Sequence, residues 1–139
     1  MNNKHKYHAQ MCLIPQCPPK AMAACQQQIA FRFTHDPVAA DDFLPPYQIN
    51  PRRALEKNRK CSGWALSFFV TQSQAQRKYE ELKAICKNIK ETIGTHISTV
   101  DLKEDDGLAS APARSGHFDL YEWDSADFSG RGSVVLQLP

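Results

Sequence analysis

Nothing in this chain approaches the ~18 consecutive apolar residues of a membrane span, and the N-terminal Met11–Ile14 run is too short for a secretion-signal core of about 7–15 residues. Glycine is scarce, with six residues in 139, and no glycine-rich phosphate loop occurs. There is no His-Glu-x-x-His helix and no Gly-x-Ser-x-Gly elbow, so the common metalloprotease and serine-hydrolase signatures are missing. Net charge is small at +2, from 17 basic and 15 acidic residues, which provides no general attraction to phosphate backbones or anionic membranes. These absences point to a soluble, cytoplasmic chain with no membrane contact.

Five cysteines are present: Cys12, Cys17, Cys25, Cys61 and Cys86. An odd number, scattered spacing and no secretion signal lead us to expect free thiols in a reducing compartment. His5, His8, Cys12, Cys17 and Cys25 are ligand types that zinc prefers. Their spacing lacks the paired knuckles of structural zinc sites, and no metal is expected.

What is present reads as a single domain of ordinary globular composition, 42% hydrophobic and 23% charged. Residues 1–28 are rich in Asn, Gln, Lys and His without a sustained period, and are expected to form a loosely ordered N-terminal arm. Residues 29–139 are expected to form the α+β domain. Ile29, Phe31 and Phe33 alternate with Ala30 and Arg32, as a half-buried strand requires. A proline-rich loop follows over residues 36–51, then a short helix near 52–60 with Pro51 at its start. The apolar run 64–70 predicts a central strand buried on both faces. Ser73 with Gln76 fits a capping box. Ala75, Tyr79, Leu82, Ile85, Cys86, Ile89 and Ile93 then mark one apolar stripe on a long helix over about 73–93, closed by Gly94. Strands are expected at 95–102, 117–123 and 133–138, with residues 108–116 a loop. Strands clustered late favour a mostly antiparallel sheet of about five strands packed on that helix.

Four functional readings compete. The leading expectation is a non-catalytic interaction module with a protein partner and no cofactor, docking through Tyr47, Tyr121 and Trp123, a residue type enriched at interfaces. Another is weak nucleic-acid binding through Arg52, Arg53, Lys57, Arg59 and Lys60, a cluster opposed only by Glu56. The overall charge disfavours it. A nucleophile role for Cys61, with His35, His96 or His117 as base, would need these groups to meet in the fold. Asp119 and Glu122 are three apart on a strand and should face opposite sides, which argues against a carboxylate pair.

Arg32 on an early strand, Ser67 within a middle strand and Glu122 on a late strand form a wider pattern. In that order residues 29–125 resemble the mono-ADP-ribosyltransferases. The resemblance implies NAD as cofactor, with Arg32 gripping the pyrophosphate, Ser67 on the nicotinamide side and Glu122 steadying the ribosyl cation. The chain departs from that family where Leu-Ser-Phe-Phe replaces Ser-Thr-Ser and where Leu120 stands two residues before Glu122.

Overall fold

The computed structural model describes residues 4–139, so residues 1–3 of the expected arm lie outside the described residues. The fold is α+β, built on a seven-stranded antiparallel sheet: β1 (Ala23–Ala24), β2 (Gln28–Thr34), β3 (Leu66–Phe69), β4 (His96–Leu102), β5 (Gly107–Ala109), β6 (His117–Glu122) and β7 (Gly132–Gln137). Their order across the sheet is β1-β5-β6-β3-β2-β4-β7. Among the described residues four α-helices accompany it: α1 (His8–Met11), α2 (Pro46–Ile49), α3 (Gln72–Ile85) and α4 (Ile89–Thr92). The two unforeseen strands, β1 and β5, are two and three residues long and carry too little alternation to register as a period.

The strand parity read from the sequence assigns side chains to two faces. Seven consecutive pairs join β2 to β4, from Gln28 opposite Leu102 to Thr34 opposite His96. Ala30, Val100, Leu102, Leu66, Phe68, Phe118 and Leu120 fall on one face and form the first core with Cys25 and Phe128. Phe31, Phe33, Phe69 and Ile97 fall on the other, where Ala75 and Tyr79 of α3 cover them. Both faces of the centre are therefore covered, although Ser67 on β3 stays exposed.

The long helix is shorter than its stripe suggests. Thr71, not Ser73, caps α3: its hydroxyl accepts from the Gln74 amide at 3.2 Å, and the Gln74 side chain accepts from the Thr71 amide at 3.0 Å. The chain leaves the helix at Cys86 and resumes in α4, so the stripe is delivered in two pieces. Leu82, Cys86, Ile89 and Ile93 still reach the core, while Ile85 points outward and is 82% exposed. Gly94 closes this segment with φ +140°, where a β-carbon would lie 2.5 Å from the Thr34 carbonyl oxygen. The expected helix near 52–60 is only a 3-10 turn, Pro51–Leu55.

The N-terminal segment is packed rather than loose. The Lys6 amide donates to the Glu122 carbonyl at 3.0 Å, Asp124 donates to the Lys4 carbonyl at 2.7 Å, and His5 bridges to Trp123. Met11 and Ile14 enter a second core with Tyr47, Trp64, Ala65 and Tyr121. Cys17 and Cys61 form a disulfide across 44 positions, which corrects the expectation that all five thiols are free. Cys61 is thus not an available nucleophile. The pairing was hidden because contact between such distant positions depends on the docked segment, not on local spacing. Among the described residues no helix is long and apolar enough to cross a membrane.

Closing a loop of this length by a disulfide contributes roughly 2–5 kcal/mol in the chain-entropy account. Replacing Cys17 and Cys61 with serine together is expected to lower unfolding free energy by about that amount in urea titration. An unchanged midpoint would show that the crosslink does not form in solution.

Candidate functional site

Sheet parity sorts the expected catalytic trio. Arg32 follows Ala30 on β2 and Glu122 follows Leu120 on β6, so both face the first core. Ser67 lies between Leu66 and Phe68 and its side chain emerges on the opposite face. Extending the pairing of Phe31 with Phe69 places Arg32 level with Phe118, two strands and four residues from Glu122. Standard strand spacings then separate the two Cα atoms by about 16 Å. The sheet therefore keeps the Ser67 side chain from Glu122, whereas Arg32 and Ser67 line one groove.

Arg32 is already occupied. Its Nε donates to the Asp42 carbonyl at 3.0 Å and its Nη1 to the Ser67 carbonyl at 2.7 Å. The guanidinium lies over the rings of Phe43 and Phe68, at 5.7 and 5.3 Å from their centroids. Burial pushes its pKa down to about 10, against the opposing pull of Asp42 and Glu122, and it remains cationic at neutral pH. A guanidinium held by two backbone carbonyls in this way staples β2, β3 and the 40–43 turn, and cannot also clamp a pyrophosphate with the same donors.

Glu122 is the most unusual group on that face. Its side chain is 1% exposed and its Oε2 accepts from Lys6 Nζ at 2.8 Å. Lys6 also donates to the Ala126 carbonyl at 3.0 Å. Oε1 has no hydrogen-bond partner among the described residues. Burial raises the Glu122 pKa, while Lys6 and Arg32 act to lower it. Glu122 lies beside a cleft of about 400 Å³ whose walls include Lys6, Val38, Phe43, Leu44 and Phe128, with its own carboxylate closed off from solvent. Sequence reasoning singled out Glu122 but missed Lys6, since no local pattern links positions 6 and 122.

The opposite face carries a different constellation. Ser67 Oγ is hydrogen-bonded to His117 Nε2, and Asp119 Oδ1 lies 3.6 Å from that same nitrogen. Ser67 and His117, with Arg32, line a groove of about 260 Å³ walled by Leu44, Ile49, Phe69, Leu82 and Ile93. A base that activates serine must present an unprotonated nitrogen to it, with its carboxylate partner on the other ring nitrogen. Here the carboxylate faces the nitrogen that serine uses and favours a proton there. With a proton on that nitrogen the imidazole donates to Ser67, the arrangement opposite to the one that activates a hydroxyl. Burial raises the Asp119 pKa, with His117 opposing. The sequence signal was the His117–Asp119 spacing of two, which puts both on one strand face. Their meeting with Ser67 required the β3–β6 register.

The aromatics expected to face a partner are covered. Tyr121 is 2% exposed and Tyr47 6%, both within the second core, and the Tyr47 hydroxyl accepts from the Lys60 amide at 2.8 Å. Trp123 is half-buried, with the His5 ring stacked on it at 4.2 Å. The N-terminal segment occupies the place assigned to a partner. In the basic stretch, Arg52, Arg53, Lys57 and Lys60 are exposed, whereas Arg59 donates to the Leu13 carbonyl at 3.1 Å. The N-terminal His and Cys residues diverge: Cys25 is buried in the first core, Cys17 is crosslinked, and Cys12 approaches His8 Nε2 at 3.3 Å.

Comparison with protein-family models, with curated proteins and with solved structures returns no match.

Two measurements test this site. Saturating NAD is expected to leave the melting temperature unchanged. A ligand at 100 times its Kd would add about 2.7 kcal/mol, so a rise of several degrees would restore the transferase assignment. The raised pKa of Glu122 also fixes a sign. Its folded state takes up a proton more readily than the unfolded chain, so its contribution is fullest below the ordinary glutamate value of about 4.3 and is lost as pH rises through the folded pKa. The stability difference between wild type and Glu122→Gln should therefore shift against wild type from pH 4 to pH 7. A shift in its favour would mean that Lys6 outweighs burial.

Proposed function

We propose that the chain is a non-catalytic interaction module that docks an acidic protein partner through the surface around residues 51–60. The observation that carries this reading is the exposure of Leu55 and Leu13, at 84% and 70%, beside the cations Arg52, Arg53, Lys57 and Lys60. Large aliphatic side chains held in water beside a cluster of one charge sign are the features of a docking patch. Arg59 ties Leu13 to this segment, and the Cys17–Cys61 disulfide fastens the two stretches of chain beneath it. The patch thus replaces Tyr47, Tyr121 and Trp123 as the contact surface.

Nucleic-acid binding uses the same cations, but single strands are held chiefly by bases stacked on exposed aromatics. The large hydrophobic side chains that stand exposed among the described residues are all aliphatic. The transferase reading, with NAD held by Arg32, Ser67 and Glu122, has less support because Ser67 and Glu122 lie on opposite faces and two Arg32 donors are taken by backbone carbonyls. A disulfide is at home in an oxidising compartment, which weighs against the cytoplasmic placement expected from the sequence.

A random copolymer of glutamate and tyrosine is expected to bind at low salt, more tightly than polyglutamate, with the triple variant R52E/R53E/K57E at least tenfold weaker. Tighter binding of an oligothymidine strand would favour the nucleic-acid reading. No binding to any of the three polymers would overturn the docking surface.

A further inference from the structure

Arg32 is a half-buried cation without a counter-ion. Its partners are two backbone carbonyls, those of Asp42 and Ser67, at 3.0 and 2.7 Å. The neighbouring carboxylates are committed elsewhere: Asp42 accepts from the amides of His35 and Ala39, and Glu122 pairs with Lys6. Among the described residues no carboxylate forms an ion pair with the guanidinium. Cations drawn out of water are ordinarily paired, because carbonyl dipoles replace only part of the lost hydration. Arg32 Nη2 makes no hydrogen bond among the described residues and, unlike Glu122 Oε1, is not closed off from solvent.

The sheet leads this group to the groove beside Ser67. Among the described residues β2 and β3 pair only at Phe31 with Phe69. Where the ladder stops, the guanidinium reaches through to the Ser67 carbonyl, so Arg32 lines the groove although its strand position faces the first core. Lys78 of α3, exposed and 3.8 Å from Glu81, adds a second cation, and no Asp or Glu of the described residues lines the groove. Asp119, outside that lining, favours a proton on His117 Nε2, which then donates to Ser67 Oγ. The exposed Ser67 hydroxyl therefore keeps its own proton to donate outward.

We propose that this groove binds a small monocarboxylate with an apolar chain, its carboxylate on Arg32 Nη2 and the Ser67 hydroxyl. The chain lies along Leu44, Ile49, Phe69, Leu82 and Ile93. The volume of about 260 Å³ is a little under the roughly 300 Å³ at which drug-sized sites begin, which restricts the occupant to a small acid. Two accessible donors match the two oxygens of a carboxylate, and the cationic lining selects an anion over an amine.

Hexanoate, hexanamide and acetate test the proposal on the unmodified protein, read by the backbone amide resonances of Ser67, Phe69 and Ile93 and by the Arg32 Nε–H. Hexanoate is expected to shift them saturably. It should bind about tenfold or more tightly than hexanamide, which lacks the charge, and than acetate, which lacks the chain. Ser67→Ala and Lys78→Glu, both at exposed positions, should each weaken hexanoate about threefold or more and leave hexanamide unchanged. Equal affinity for hexanoate and hexanamide, or for hexanoate and acetate, would overturn the site. So would unchanged hexanoate affinity in either variant, or no saturable shift up to the solubility limit of each probe. Arg32 is left intact because its guanidinium also staples β2 and β3, and the comparison on the native chain stands whether or not a variant folds.

Discussion

The seven-pair register between β2 and β4 is the constraint on which the remaining architecture depends. A strand alternates its side chains strictly, so a slip of one residue would send Ala30 and Arg32 to the helix face and Phe31 and Phe33 to the other. With the observed pairing, Phe31 and Phe33 meet α3 and α4, while Ala30 leaves room for Phe68 and Phe118 to fill the first core. The same parity places Arg32 and Glu122 on one side and Ser67, His117 and Asp119 on the other. Two chemically distinct surfaces follow from a single choice of register.

Charge is handled differently on those two surfaces. On the first, buried ions are paired and directed by backbone carbonyls: Arg32 to Asp42 and Ser67, Arg131 to Asp106, Lys6 to Glu122. Such pairs hold loops onto the sheet more through geometry than through net energy, because desolvation offsets much of their attraction. Glu122 stands apart because only one of its oxygens is met among the described residues. On the second surface Ser67, His117 and Asp119 lie partly in water, and the carboxylate opposes rather than assists activation of the hydroxyl.

The N-terminal segment changes what the rest of the molecule presents. It covers Tyr121, stacks His5 on Trp123 and supplies the lysine on Glu122. Through Cys17 it is joined to the 61–64 turn, and through Leu13 to Arg59. The surface left open is therefore aliphatic and basic instead of aromatic.

The amino-acid order alone was enough for β2, for the face of α3 and for the turn at Gly94, because each rests on a local period or a single backbone requirement. It also determined that Asp119 and Glu122 lie on opposite faces, since strand parity needs no partner. Tertiary structure decided everything that joins distant positions: Lys6 with Glu122, Cys17 with Cys61, Ser67 with His117. It also decided the break of the helix at Cys86, where the stripe of Leu82, Ile89 and Ile93 continues in the sequence but reaches the core from two separate helices and the turn after them. Periodicity records which side of an element is apolar; what that side meets depends on register and docking, which no local spacing encodes.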